Sequence, residues 1–123
     1  MADTKVDPRL AGSKAGWVWF GFAGHLVVGR RCAFHLATYM PEHKLFVSTV
    51  GDYLPDGKKR DTIGAGDKDF YETMVFQCDG VLKGGDPNIT SWDAVESLRY
   101  ETSLEAEIGH YEMLAQMERL RTN

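Results

Sequence analysis

The residues from Arg31 to Tyr53 limit the fold more than any other part of the chain. Two runs rich in β-branched and aromatic residues flank Pro41-Glu42-His43, and a proline interrupts a ladder, so the stretch reads as two long strands joined by a tight turn. Along the first run Cys32, Phe34, Leu36, Thr38 and Met40 share one face, while Ala33, His35, Ala37 and Tyr39 share the other. Both faces are partly apolar. A sheet with one wet side alternates more cleanly, so each side of this hairpin calls for a cover.

One cover is legible at the C-terminus. Thr102-Ser103-Leu104-Glu105 is a capping-box pattern, in which the hydroxyl meets free first-turn amides and Glu105 reaches back. It opens a helix expected from about Ser103 to Arg121. Leu104, Ile108, Tyr111 and Ala115 form the expected docking stripe, widened by Met113, Met117 and Leu120, with Arg119 and Arg121 at the negative end of the dipole. Gly109 costs about 1 kcal/mol relative to Ala inside a helix, which makes sense if a strand or side chain comes close there.

The remaining segments complete an α+β fold: an antiparallel sheet of four or five strands with the C-terminal helix packed on one face. Residues 1–15 read as a polar arm, and residues 16–123 as a single domain of a size that needs no staple. The segment from Gly16 to Gly29 suggests one bent strand or two short ones. Leu54 to Asp69, with Pro55, glycines and Lys58-Lys59-Arg60, reads as a long exposed loop. Phe70 to Cys78 alternates as a third strong strand, Asp79 to Thr90 is turn chemistry, and Ser91 to Tyr100 is a weaker fourth strand.

Charge and cysteine usage narrow the function classes. A net charge of -4 argues against a nucleic-acid surface spread over the molecule, although Arg30-Arg31 and the basic triplet are local exceptions. The first residues lack an apolar signal core, and the longest apolar span is cut by glycines and His25, so a cytoplasmic protein with no membrane span is expected. Cys32 and Cys78 read as buried, reduced thiols.

Catalytic readings are weak. Cys32 and His35 lie three apart on a strand and point to opposite faces, so they form no nucleophile-base pair. His25, Cys32, His35 and Cys78 lack paired metal-ligand spacing, and no metal or other cofactor is expected. No two carboxylates are held at a working separation, which leaves no general acid. Free amides at Gly64 and Gly66, with Lys58, Lys59 and Arg60 nearby, could cradle an anion, although this loop opens no helix.

The run Phe70-Tyr71-Glu72-Thr73-Met74-Val75-Phe76, followed by Arg99-Tyr100-Glu101-Thr102-Ser103-Leu104-Glu105-Ala106 and then Gly109-His110, resembles a pattern in small uncharacterised accessory proteins of tailed bacteriophages. The resemblance covers roughly the C-terminal half and departs in details of the loops. It implies a phage accessory protein in the host cytoplasm, and it implies no reaction. The expectation is a non-enzymatic binding protein that acts on a host protein or sequesters a small anionic ligand. The alternative is a virion or assembly component that self-associates through the second sheet face. A homo-oligomer is expected in its own right, with a homodimer anchored by Trp17, Trp19 or Tyr39 favoured.

Overall fold

The structure is a computed structural model that describes residues 18–19, 32–57, 59–63, 66–84 and 86–122. Its elements are β1 (Val18–Trp19), β2 (Cys32–Met40), β3 (Leu45–Tyr53), β4 (Tyr71–Val81), β5 (Pro87–Tyr100) and α1 (Ser103–Thr122). The strands form one antiparallel sheet in chain order, β1-β2-β3-β4-β5, with α1 crossing one face. The α+β fold is therefore as read from the sequence.

The central hairpin closes where Pro41 predicts. Met40 faces Leu45 across the ladder, the His43 N–H donates to the Met40 carbonyl at 3.1 Å, and Lys44 takes a left-handed φ of 55° to return the chain. Close approach explains one glycine in β3: any Cβ at Gly51 would enter the Tyr71 ring, which lies on it from the neighbouring strand.

The second hairpin is longer than the turn residues suggest. β4 continues past Cys78 to Val81, and β5 starts at Pro87 rather than Ser91, leaving a turn closed by the Leu82 N–H on the Asp86 carbonyl at 2.7 Å. Asp79-Gly80 sits inside the ladder because Gly80 adopts a φ of 81° and the register slips on either side of Cys78. Pairing jumps from Val75 with Glu96 to Gln77 with Ser91, so two steps along β4 span five along β5.

Two apolar layers flank the sheet. Met40, Leu45, Val47 and Val75 meet Met113, Leu114 and Met117 of α1, and none of these is more than 2% exposed. Burial of each such side chain contributes roughly 1.5–3 kcal/mol. On the opposite face Ala37, Tyr39, Phe46 and Cys78 cluster with Ile89, while Ser48 and Val50 nearby are also buried. Apolar side chains on both faces of the central hairpin are thus buried, in keeping with its two-sided apolar pattern.

The docking face of α1 is a correction. Leu104 is 64% exposed, Ile108 50% and Leu120 63%, whereas Ala106, His110, Met113, Leu114 and Met117 face the sheet. The helix carries two apolar stripes on nearly opposite sides. Bulk alone ranks the outer stripe first, but the small residues Ala106 and Gly109 let the backbone approach the strands.

Candidate functional site

The most distinctive chemistry lies between α1 and the sheet. His110 is fully buried, with Thr38 Oγ1 at 3.0 Å from Nε2 and Thr49 Oγ1 at 2.7 Å from Nδ1. Thr49 Oγ1 is 2.6 Å from Thr73 Oγ1, and the Tyr100 hydroxyl donates to Thr73 Oγ1 at 3.1 Å. Thr49 and Thr73 face each other directly across β3 and β4. The network therefore ties α1 to four strands at once.

Local sequence makes this possible. The capping box forms as written: Glu105 Oε1 accepts from the Thr102 N–H and Thr102 Oγ1 accepts from the Glu105 N–H, at 3.2 and 3.1 Å. The cap fixes where α1 starts, and Gly109 then meets the Tyr100 ring, which occupies the space a Cβ would take. Burial pushes the His110 imidazole down from 6.5 to about 3, so it stays neutral at ordinary pH. Tyr100 is raised by burial, with the Glu112 charge adding and the Thr73 bond opposing. A ring enclosed in this way packs as a polar staple and presents no nitrogen to a substrate.

A second cluster anchors the connection between β3 and β4. Asp52 has a left-handed φ of 52°, and its Oδ1 accepts from the Tyr71 hydroxyl at 2.7 Å and from Arg60 Nε at 3.1 Å. The Arg60 guanidinium also lies 3.9 Å above the Phe70 ring, and its Nη2 donates to the Tyr71 hydroxyl at 3.3 Å. Burial raises Tyr71 above its ordinary value, and the bond to Asp52 adds to this. Beside it, Pro55, Asp56, Lys59, Arg60 and Asp61 line a pocket of about 190 Å³.

These contacts occupy the groups expected to hold an anion. Arg60 is engaged by Asp52, and the Gly66 N–H donates to Asp69 Oδ2 at 3.2 Å, so a carboxylate of the chain sits where an external anion would. The Lys59 N–H donates to Asp56 Oδ1 at 3.0 Å. Lys58 and Gly64 lie outside the described residues, as does Trp17. Trp19 pairs with Thr38 through the backbone of β1. Tyr39 is 8% exposed, and its hydroxyl accepts from the Gly80 N–H at 2.8 Å, so it serves the fold.

The thiols are buried and free, and burial pushes both Cys32 and Cys78 up to about 11, which leaves them protonated and unreactive. Cys32 and His35 both lie in β2 and point to opposite faces. Among the described residues no group of three or more His, Cys, Asp or Glu is placed to hold a metal ion, and no helix is long and apolar enough to cross a membrane.

Open apolar surface is concentrated elsewhere. Val81, Leu82, Trp92, Val95, Leu98, Leu104, Ile108 and Leu120 are the large exposed hydrophobics among the described residues, and all lie on the second hairpin or on α1. On the outside of α1, Leu104, Ile108, Tyr111 and Ala115 line a groove of about 490 Å³ bordered by Glu107 and Glu112. The Trp92 ring leans edge-on against Phe76 with centroids 5.2 Å apart, and Arg99 Nε pairs with the nearly buried Glu72 at 3.0 Å. Sequence reasoning missed this surface because it assigned the outer stripe to the core. The signal was present: a helix with apolar residues on two sides leaves one of them outward.

No protein-family model matches the chain, and no curated protein or solved structure matches it.

Proposed function

We propose that the chain is a non-enzymatic binding protein whose contact surface combines edge strand β5 with the outer stripe of α1. The observation that carries this reading is the distribution of exposed apolar side chains, all of which fall between Val81 and Leu120 among the described residues. The groups that could do chemistry, His110, Cys32 and Cys78, are instead buried. An edge strand offers unpaired amides and carbonyls to a partner strand, and Trp92 and Leu98 offer anchors. The resemblance to phage accessory proteins points to a host protein as that partner. Sequestration of a small anion has less support, since Arg60 and the Gly66 amide already serve Asp52 and Asp69.

Self-association is the second reading, and the same edge favours it, because among the described residues β5 has a strand neighbour on one side only. The experiment is sedimentation at micromolar concentration for the parent and for Trp92→Glu with Leu98→Glu, followed by capture assays against host protein fractions. A parent dimer that the double variant dissociates supports self-association. A monomer that retains a host protein only with Trp92 and Leu98 intact supports host binding. Equal retention by parent and variant removes β5 as the contact surface.

A further inference from the structure

We propose that Tyr100, Thr73, Thr49, His110 and Thr38 form a proton-ordered lock in which every hydrogen bond runs in one direction and the neutral imidazole carries its proton on Nε2. The order starts at Tyr100. A phenol is a better donor and a poorer acceptor than an aliphatic alcohol, so its O–H goes to Thr73 Oγ1 at 3.1 Å. Thr73 has one proton to give, and Thr49 Oγ1 lies 2.6 Å away. Thr49 in turn gives its proton to Nδ1 at 2.7 Å, which obliges the ring proton to sit on Nε2 and be donated to Thr38 Oγ1 at 3.0 Å.

The other tautomer breaks this sequence. With the proton on Nδ1, Thr49 would accept from the ring and donate to Thr73, which would then receive from Thr49 and from Tyr100, so the direction of the bonds would reverse at Thr73. Thr73, Thr49, Thr38 and His110 are all fully buried, so the order of these bonds is set inside the fold. Bonds aligned head to tail also polarise one another in a dry interior. Both imidazole nitrogens are thereby committed inside the fold.

The test is a long-range proton–nitrogen correlation on histidine-labelled protein at neutral pH, with His25, His35 and His43 replaced by Gln so that His110 is the remaining ring. The expected result is two widely separated ring nitrogens, the protonated one being Nε2. A Thr49 hydroxyl proton should also be visible in slow exchange, with scalar coupling to Nδ1 and with its signal lost in Thr49→Val. A proton on Nδ1, or an averaged pair of ring shifts, overturns the lock. So does a bare Nδ1 that couples to no hydroxyl proton, because the direction along the chain would then be wrong.

Discussion

Strands β3 and β5 are similar in kind and opposite in circumstance. Leu45 through Gly51 of β3 are all buried, whereas none of the 14 residues of β5 is. Both runs contain β-branched and aromatic residues, so strand propensity does not separate them. Position does: β3 lies between two strands and under α1, while β5 has a strand on one side only among the described residues. Burial in a sheet is assigned by neighbours, and a strand of adequate propensity at an edge keeps its apolar side chains available to another molecule.

The largest effect that sharpens this contrast lies in α1, whose two apolar stripes divide along the same line. Leu114→Ala, on the buried stripe, is expected to lose about 2–5 kcal/mol in denaturant unfolding. Ile108→Ala, on the open stripe, should stay within about 0.5 kcal/mol of the parent. Comparable losses for the two would return the outer stripe to the core.

Gly109→Ala is expected to cost next most. A methyl group there meets the Tyr100 ring, and overpacking of about 1–3 kcal/mol should exceed the gain of about 1 kcal/mol in helix propensity. Thermal unfolding would show the loss, and a stabilised variant would mean that the helix stands off the strand.

The acid response of the buried side is the third expectation. His110 takes up a proton near 6.5 when unfolded and only at about 3 when folded, so the folded state binds fewer protons between these values. Stability on this account is complete above pH 6.5 and falls as pH drops towards 3, with a limiting slope of about 1.4 kcal/mol per pH unit. Urea midpoints across that range, compared between parent and His110→Gln, should show the histidine contribution vanish in the variant. An unchanged profile would place the acid response in other groups.

The smallest expected change is on β5. Trp92→Ser or Leu98→Ser should shift stability by about 0.5 kcal/mol or less, since each side chain is about half exposed. A loss of several kcal/mol on unfolding of either variant would show that β5 belongs energetically to the core.

Much of the fold was legible because its signals are local. Pro41 between two apolar runs gives the hairpin, Thr102 with Glu105 gives the start of α1, and Gly109 announces the side chain that meets it. The inner face of α1 was legible only at Met113 and Met117, since Ala106 and His110 look less hydrophobic than Leu104 and Ile108. Their burial follows from which strands α1 crosses. His110 was equally hidden: its partners Thr38 and Thr49 come from two strands, 72 and 61 positions away in the chain, and Thr73 behind Thr49 comes from a third. The hint that existed was a run of threonines at strand positions shared with apolar neighbours. The groups expected to hold an anion were found in sequence, but the carboxylates that occupy Arg60 and Gly66 are set by the path of the loop.

The slip in pairing between β4 and β5 bears on how far any association could spread. A straight free edge of 14 residues would present one continuous template, on which copy after copy could add. In its pairing with β4 the strand β5 is interrupted between Glu96 and Ser91, and the register slips again on either side of Cys78, so only Glu96 to Tyr100 runs in one unbroken phase. A strand in register with Glu96 to Tyr100 is out of register with Pro87 to Ser91. Growth into an open-ended fibre is thereby frustrated, while a single bounded contact on either half remains open.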